Sequence, residues 1–553
     1  MNTIHQPAQT PMPAIFRAPH IAAPGLLILA GITATLALSP DSSAQTWTGA
    51  GANSNWSTPA NWENSLAPAN DGTANIRFDA TTPASSATAR LDAPWNINTL
   101  SFTGVGATPA IILTAATGST ITLQSTASGT SASILNNTTA TQTIQAGLIL
   151  GATTANSSHY INAQTGTLDI TGNIALSNNR IVLTGAGNVN FSGVISGNGA
   201  TTGAIVLDAG FTGTATLSGN STFNRQVAVR EGTLVVKSNA PNNAAGALGQ
   251  STRAIELGHT SGTRDSALLI GGAHEIGRVV QIKSTTGGGR VTLGGNTTDT
   301  SVFSGNITLG DAAAAGRALH LTAAAGGTVI LSGNLLTGTT TGATDSITKI
   351  GAGTVILTGT GNTYAGSTTV SEGTLLVNAA TAAFATAGQS ITVAADARLG
   401  GTGIINRDVN IQQNGILIAG TGGLGETLTI NSDLTLATGS IIAFALGESG
   451  AHSTLTRQGG TWQFGANQSF LITDLGAQTG TYTGIVTGLT ADTDVTGWTL
   501  RNAGWAGQFI NNSGTIDLLL TQTSIPEPHA TVLLLALGTI AAGLCTRARR
   551  THK

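Results

Sequence analysis

The segments "GTATLSGNSTFNRQVAVREGTLVV" (residues 213–236) and "GTVILTGTGNTYAGSTTVSEGTLLV" (residues 353–377) decide the fold of this chain. They align with a single inserted residue, and the matching pairs are Gly213/Gly353, Leu217/Leu357, Gly219/Gly359, Thr222/Thr363, Phe223/Tyr364, Val229/Val370, Glu231/Glu372, Gly232/Gly373, Thr233/Thr374 and Leu234/Leu375. A weaker copy, "GGTVILSGN", occupies residues 326–334. Internal repetition of this kind predicts a stacked-repeat architecture.

Each unit contains a strand, a turn with one aromatic residue, a second strand, a tight Glu-Gly turn and a third strand. Three short strands in about two dozen residues match one coil of a parallel β-helix, which buries its apolar face only by stacking on the next coil at about 4.8 Å. Gly232 and Gly373 are expected to take positive φ values at the turns. Beside them, Glu231 and Glu372 are interpreted as structural, either capping turn amides or solvated.

The rest of the chain body follows the same pattern. From Ile97 to Leu520, short runs of Val, Ile, Leu and Thr are broken by Gly, Asn and Asp, and "TLTINSDLTL" (427–436) alternates apolar and polar residues. Hydrophobic residues make up 40% of the chain and its net charge is −3, which argues against disorder despite 74 glycines. The sequence therefore predicts an all-β rod, a β-solenoid of roughly 20 coils and on the order of 100 Å long.

Charge and cysteine content exclude several classes of function. Between the two terminal segments the body carries 17 basic and 23 acidic residues, a net charge of −6. A mildly acidic rod does not attract phosphate backbones, so no nucleic-acid partner is expected. The single cysteine, Cys545, lies in the apolar segment near the end of the chain, so the body has no disulfide bonds.

The repeat units resemble the autotransporter-associated β-strand repeat of secreted bacterial passenger proteins. The stretch at 47–79, with Trp47, Trp56 and Trp62, resembles the start of many proteins that carry that repeat. The resemblance implies a right-handed parallel β-helix at or beyond the cell surface. The large tyrosine-rich and phenylalanine-rich membrane barrel of autotransporters is missing from the pattern, since the chain has 3 tyrosines, so self-export is not expected.

The N-terminal segment is interpreted as an export signal. Residues 25–38, "GLLILAGITATLAL", have the length of a signal-peptide core, and small residues at 42–44 predict cleavage between Ala44 and Gln45. The alternative is a buried hydrophobic segment of a cytosolic domain. The predicted organisation is a signal peptide (1–44), a tryptophan-rich N-terminal cap (45–96) and a β-helix region (97–520).

Residues 521–553 form a three-part tail. Prolines keep the first part extended, the apolar run at 530–545 can enter a bilayer, and arginines beyond it stop transfer. An ordinary C-terminal membrane anchor is one alternative. The combination resembles the PEP-CTERM sorting signal, which implies a short transmembrane sorting helix, transient anchoring in the inner membrane and cleavage by an exosortase-type processing enzyme. The residues concerned are Pro526, Glu527 and Pro528, and Arg547, Arg549 and Arg550 in the basic end at 547–553.

Candidate catalytic residues are sparse. Parallel β-helices often host polysaccharide lyases and glycosidases, whose chemistry needs convergent carboxylates or a cation beside a base. Asp492 and Asp494 could share a strand face but are better explained by a turn, and adjacent residues such as His274 and Glu275 point to opposite faces of a strand. The remaining candidates, interpreted as a solvated loop, are His259, Arg264 and Asp265.

No metal or cofactor is predicted, because zinc and EF-hand ligand spacings are absent from the sequence. The glycine-rich stretches 286–290 and 420–425 do not open a helix, as a phosphate-binding loop requires, and are interpreted as turns. Exposed tryptophans could stack on sugars, but plugging the open ends of the helix is favoured. The tryptophans are Trp47, Trp56, Trp62 and Trp95 at one end, and Trp462, Trp498 and Trp505 at the other.

Together these features predict an exported, non-enzymatic protein of the cell surface or extracellular matrix. It would be sorted through its tail and associated with exopolysaccharide or biofilm, with ladders of surface Thr and Ser as the supporting feature. Two alternatives remain open. One is a carbohydrate-active enzyme (a polysaccharide lyase or hydrolase) built on the same rod, and the other is an adhesin that binds a protein through an apolar or aromatic strip on one sheet.

Overall fold

A computed structural model of the chain describes residues 44–523, apart from 105–107, 153, 260–263, 284–288, 311–317, 339–344, 365 and 380–388. The described part is built almost entirely of short β-strands. Its helical elements are three-residue 3-10 turns at Pro59–Asn61, Glu63–Ser65, Ala84–Ser86, Gly129–Ser131 and Glu448–Gly450.

Two long sheets form two sides of a solenoid, and their strands pair in parallel. The 12 strands of sheet 1 are Gln45–Thr46, Asn75–Phe78, Thr99–Thr103, Ile134–Asn137, Ser158–Ala163, Arg180–Gly185, Ile205–Phe211, Val227–Val229, Ile255–Leu257, Val280–Ile282, Ile307–Leu309 and Leu335–Thr337. The 16 strands of sheet 2 are Thr88–Leu91, Ile112–Ala115, Gln142–Ile144, Thr167–Ile170, Asn188–Phe191, Thr214–Leu217, Gly232–Val236, Ser266–Ile270, Val291–Gly295, Ala318–Ala323, Ser346–Ile350, Thr368–Val370, Ser390–Val393, Asp408–Ile411, Leu434–Leu436 and Trp462–Gln463.

Two further parallel sheets supply other strands of the coils, one early and one late in the chain. The five strands of sheet 3 are Trp95–Ile97, Thr120–Leu123, Gly147–Leu150, Ile174–Ala175 and Ile195–Ser196. The 10 strands of sheet 4 are Glu275–Ile276, Thr300–Phe303, Thr328–Leu331, Thr354–Leu357, Thr374–Val377, Arg398–Gly400, Ile416–Ile418, Ile441–Gly447, Ser469–Leu475 and Thr499–Leu500.

Sheet 5 ends in an antiparallel hairpin, which breaks the parallel pattern near the C-terminal end of the described residues. Its six strands are Ile404–Ile405, Thr427–Asn431, Thr454–Gly459, Gly480–Thr487, Trp505–Asn512 and Thr515–Gln522. Strand 515–522 pairs antiparallel with both 480–487 and 505–512. The hairpin does not continue the parallel ladder, so it ends the stacking on this face.

The strands stack because their side chains alternate between the core and the surface. In Thr328–Leu331, Val329 and Leu331 are buried in the core, while Thr328 and Ile330 lie on the outer face. Val329 pairs with Val355 in the next coil, so aliphatic side chains form ladders along the axis. Each such side chain contributes about 1.5–3 kcal/mol on burial. These ladders replace a globular core, and the right-handed, all-β solenoid predicted for this region is confirmed.

The solenoid has fewer and longer coils than the sequence predicted. Sheet 2 stacks 16 strands, which define about 15 turns. At about 4.8 Å per turn, the stack is about 70 Å long, whereas the sequence predicted roughly 20 coils and on the order of 100 Å. The difference arises in the loops, because the length of a coil varies. Residues that hydrogen-bond across adjacent coils are 21 positions apart in one case and 29 in another.

Each repeat unit covers one short coil and the start of the next, and not a single three-stranded coil as predicted. In the second unit, Thr354 pairs directly with Thr374, so the first and third strands are neighbours in sheet 4. In the first unit, Thr214 pairs with Thr233 in the same way, but in sheet 2. Between the two paired strands of each unit, the chain forms a short coil that has one strand on another face of the solenoid. A loop occupies the position that a third strand would take.

The aromatic residue of each repeat fills that loop. Phe223 has no exposed surface and Tyr364 is 1% exposed, and both belong to the core. The Tyr364 hydroxyl lies 2.6 Å from the Thr368 hydroxyl, and the guanidinium of buried Arg407 lies 4.8 Å from the ring centre. Arg407 also donates to the backbone oxygens of Tyr364, at 2.6 Å, and of Gly366. The ring therefore supplies the core packing that a missing strand would otherwise provide.

Candidate functional site

The N-terminal tryptophans lie inside the solenoid, as the plug interpretation predicted. Trp47 and Trp56 have no exposed surface, Trp62 is 2% exposed and Trp95 is 6% exposed. Their rings meet edge to face, with centroids 5.1 Å apart for Trp47 and Trp62 and 5.5 Å apart for Trp56 and Trp62. The Trp62 indole N–H donates to the backbone oxygen of Trp56 at 2.7 Å. Buried rings cannot stack on a sugar, so this cluster closes the core and is not a binding surface.

The C-terminal tryptophans also pack against the core. Trp498 is 7% exposed and lies 4.7 Å from the Phe464 ring and 4.8 Å from the Phe470 ring. Trp462 and Trp505 are partly buried against the same cluster. Aromatic side chains therefore cover both ends of the described stack.

The two repeated glutamates have matching structural roles. Glu231 accepts a hydrogen bond from the backbone N–H of Gly210 at 2.7 Å, and Glu372 accepts one from Gly351 at 2.9 Å. Each donor precedes its acceptor by 21 residues and has a positive φ, +90° and +74° respectively. The carboxylate thus ties the Glu-Gly turn to a positive-φ glycine of the preceding coil, and the capping interpretation is confirmed. The next residues, the repeat glycines, have φ values of +75° and +63°, as predicted.

The acidic pair near the end of the solenoid is used for local turns. Asp494 accepts from the N–H of Thr496 at 2.9 Å and from its hydroxyl at 2.7 Å. These bonds lower the pKa of Asp494, and a hydrogen bond from Thr490 lowers the pKa of Asp492. A general acid needs a raised pKa, so neither carboxyl group is suited to that role.

Of the other polar candidates, Arg264 and Asp265 lie at the same surface groove, and their polar groups contact other parts of the chain. The Glu275 carboxylate bonds the Ser304 hydroxyl of the next coil, away from His274. Asp265 accepts from the backbone N–H of Arg290 at 2.8 Å, and the Arg264 side chain lies 4.0 Å from Glu231. His259 borders residues 260–263, which lie outside the described part. In the described residues, no three His, Cys, Asp or Glu side chains are grouped so that they could hold a metal ion.

The glycine-rich loop at 420–425 is organised around a carboxylate of the protein itself. Glu426 accepts from the N–H of Thr421 at 2.6 Å and from that of Gly423 at 3.1 Å. Burial alone would raise the pKa of Glu426, but the hydrogen bonds from Thr421 and Gly423 lower it overall. The loop is therefore a turn, as predicted. The other stretch, 286–290, lies mostly outside the described residues.

Buried cations are a feature that sequence reasoning missed. Lys349 has no exposed surface, and its ammonium donates to the backbone oxygens of Ile350 at 2.9 Å, Gly351 at 2.7 Å and Glu372 at 3.0 Å. Burial lowers its pKa to about 8, and the Glu372 charge opposes that shift. Alternation in "SITKI" (346–350) was the available signal, since it places the lysine beside Ile347 on the inner face. These groups hold loop carbonyls and do not face solvent.

One row of side chains, all of them polar except Ala267, follows the outer face of sheet 2 over eleven consecutive strands. Each member pairs with the next through the ladder, and the members are Thr214, Thr233, Ala267, Thr292, His320, Thr348, Thr369, Thr392, Asn410, Thr435 and Gln463. All of them are half-buried or exposed, while their strand neighbours face the core. We refer to this row as the sheet 2 polar row.

Sheet 4 carries a contrasting row of aliphatic side chains on its outer face. Val302, Ile330, Ile356 and Leu376 pair in sequence along this face, and the strands beyond them place Ile418, Ala443 and Leu471 in line. Ile418 and Ala443 belong to a small cluster separate from the main core. We refer to this row as the sheet 4 apolar row.

Comparison with known proteins supports the sequence-based resemblance. The family model of the passenger-associated-transport-repeat matches residues 212–236 and 347–377, the two units identified above. No curated protein matches the chain. The described part of the chain is thus a β-solenoid that contains two repeats similar to those of passenger proteins, which is consistent with an exported surface protein.

The predicted terminal features fall largely outside the described residues. The signal segment up to residue 43 and the tail from residue 524, including Pro526, Glu527, Pro528, Arg547, Arg549 and Arg550, lie there. Within the part that the structure describes, no helix is both long and apolar enough to span a bilayer.

Proposed function

We propose that the protein is an exported, non-enzymatic component of the cell surface or extracellular matrix that associates with exopolysaccharide. The observation that carries this proposal is the sheet 2 polar row. Its members follow one another once per coil, about every 4.8 Å, and all but Ala267 and His320 carry a hydroxyl or amide group. A polysaccharide also repeats its hydroxyl groups at a fixed interval, so an extended chain along the row can form the same contacts many times.

Delivery is proposed to follow the two terminal signals. Cleavage between Ala44 and Gln45 keeps the first strand complete, because Gln45 already pairs with Ile76 in sheet 1. An exosortase-type enzyme then cuts the tail near the Pro-Glu-Pro motif, after the apolar segment and Arg547, Arg549 and Arg550 have held the chain transiently in the inner membrane.

Intact-mass analysis of the exported protein tests the delivery steps. The expected species lacks residues 1–44 and the tail after about Ser524. Replacing Pro526, Glu527 and Pro528 by alanine should leave an unprocessed species in the membrane fraction. Glu448→Ala, an exposed glutamate of the body, serves as the control and should be processed normally. Recovery of wild-type protein that retains Arg547–Lys553 in the matrix would overturn the processing proposal.

Retention in the matrix tests the role of the sheet 2 polar row. The double variant Thr369→Ala/Thr392→Ala removes two neighbouring hydroxyls of the row. The matched control Thr328→Ala/Thr354→Ala removes two neighbouring outer hydroxyls of sheet 4. We expect the first variant to move from the matrix to the medium and the control to stay with the matrix. Equal behaviour of the two variants would argue against the row as the contact surface.

The sheet 4 apolar row favours a second candidate function, a protein-binding adhesin. Exposed apolar patches can mark protein-interaction surfaces. Ile330 and Ile356 are only partly buried, although both occupy the outer face. Ile330→Ser/Ile356→Ser should reduce adherence to cells if this candidate is correct, and should leave retention in the polysaccharide matrix unchanged.

A further inference from the structure

Basic residues are concentrated in one part of the solenoid. Residues 225–290 contain four acidic residues, which are Glu231, Glu256, Asp265 and Glu275. The same segment contains eight basic residues, which are Arg225, Arg230, Lys237, Arg253, Arg264, Arg278, Lys283 and Arg290. The remainder of the body has nine basic and nineteen acidic residues. A net positive belt therefore interrupts an otherwise acidic rod, and it can attract anions that the rest of the surface repels.

A groove opens on this belt beside the sheet 2 polar row. It has a volume of about 500 Å³, and the residues that matter for its chemistry are Thr233, Arg264, Asp265, Ala267, Arg290 and Thr292. Thr233 pairs with Ala267, and Ala267 pairs with Thr292, so the three form consecutive rungs of the row. The short alanine side chain leaves a depression between two threonines. The groove is thus lined by two threonines on either side of an alanine.

Two arginines, Arg264 and Arg290, lie beside these residues on adjacent coils. The Arg264 side chain is 55% exposed, and its Nε lies 4.0 Å from Glu231 Oε2. That oxygen already accepts a hydrogen bond from the backbone N–H of Gly210, so the Glu231 carboxylate is fixed by the preceding coil. Arg290 is exposed and forms no ion pair within 4.0 Å among the described residues.

The acidic residue in the groove is engaged with the backbone. Asp265 accepts from the N–H of Arg290 at 2.8 Å, and this bond fixes its carboxylate between the two coils. The backbone oxygen of Arg290 in turn accepts from the N–H of Ser266 at 2.8 Å. The main chain of Arg290 is therefore anchored to the preceding coil, and the side chains of both arginines are exposed.

We propose that this groove binds a carboxylate-bearing sugar unit of an acidic polysaccharide, with Arg264 and Arg290 contacting carboxylates and Thr233 and Thr292 contacting ring hydroxyls. Guanidinium groups form paired hydrogen bonds with carboxylates. The coil spacing of about 4.8 Å is close to the length of one sugar ring in an extended chain, so successive acidic sugars can meet successive arginines. The inference rests on the proposed association with exopolysaccharide and specifies its chemical class.

Binding of polygalacturonate by the purified full chain tests the groove, with neutral dextran and single-stranded oligodeoxythymidine as comparison probes. The test variant is Arg264→Gln/Arg290→Gln. The control variant, Arg253→Gln/Arg398→Gln, makes the same change in charge at two exposed arginines outside the groove. Affinity is measured by calorimetry at low and at physiological salt. We expect at least tenfold weaker binding of polygalacturonate by the test variant, and less than a threefold change in the control.

The outcomes separate this inference from the function on which it rests. Equal weakening of the two variants would overturn the groove, because general charge would then explain binding. Binding to dextran but not to polygalacturonate would overturn the acidic ligand and leave the association with polysaccharide intact. Binding to neither glycan would overturn both. Oligodeoxythymidine bound as tightly as polygalacturonate would show a general polyanion site and overturn the assignment to a sugar.

Discussion

Replacing the buried aromatic residue of the second repeat should unfold one coil locally. Tyr364 is 1% exposed, and its hydroxyl bonds Thr368 while its ring faces Arg407. Tyr364→Ala leaves a cavity that costs about 3–5 kcal/mol. Tyr364→Phe keeps the ring and removes only the hydroxyl, which costs about 1–2 kcal/mol because buried Thr368 loses its partner.

The loss should be confined to the neighbouring coils, since a solenoid repeat contacts only its neighbours. Hydrogen exchange followed by mass spectrometry measures this directly, and each 1.4 kcal/mol accelerates exchange by about tenfold. Peptides from residues 347–377 should therefore exchange about 100-fold faster or more in Tyr364→Ala.

Two further variants control this experiment. Phe223→Ala should give the same signature around residues 213–236, because Phe223 is equally buried in the equivalent loop. Thr369→Ala, on the outer face, should change exchange by less than about threefold, as expected for surface substitutions. If Tyr364→Ala accelerated exchange equally along the whole chain, or not at all near residue 364, the short-coil role of the repeat aromatic would be refuted.

Three other predictions concern turns and buried charge. Gly373→Ala should destabilise the protein by more than about 2 kcal/mol, because φ is +63° and a Cβ would lie 2.5 Å from backbone oxygens of the preceding coil. The control Gly118→Ala has φ +81° and open space around the Cβ, so it should cost about 1 kcal/mol. Equal losses of stability in urea denaturation would contradict this prediction. Glu231→Ala should cost about 1.5–3 kcal/mol, since it leaves the Gly210 N–H without its charged acceptor, and unchanged thermal stability would disprove the capping role. Lys349 has a pKa of about 8 in the folded protein and an ordinary pKa of 10.5. Between these two values the unfolded chain binds more protons than the folded one, so the free energy of unfolding should rise from pH 8 to pH 10.5. Lys349→Met should lose that rise, and parallel pH profiles of stability for the two proteins would contradict this prediction.

The sequence predicted the strands because the alternation of apolar and polar residues is a local pattern. The alternation in "TLTINSDLTL" reports the inner and outer faces directly, and Leu428 and Leu434 are fully buried as expected. The number of coils could not be predicted in the same way. It depends on how many residues each loop inserts between strands, and loops that differ in length can connect the same two strand positions.

The candidate surface was harder to predict, because it depends on register between coils. Thr292 and His320 lie 28 positions apart in sequence and are direct neighbours in the sheet 2 polar row. Arg264 and Arg290 likewise meet at one groove through stacking. Within a single strand, a polar residue at an outer position indicates only a face. The residues that share that face become known once the length of each coil is fixed.

The geometry of the two repeats separates structural residues from functional ones. Their matching residues occupy different sheets, since Thr233 lies in sheet 2 and Thr374 lies in sheet 4. A ligand that followed one face of the rod would therefore meet the shared motif in one unit and not in the other. What the units share is a short coil, a buried aromatic ring and a carboxylate that ties the Glu-Gly turn to the preceding coil. The repeat motif thus builds the rod. It supplies Thr233 to the proposed groove, whereas the two arginines proposed to contact carboxylates, Arg264 and Arg290, lie outside the motif.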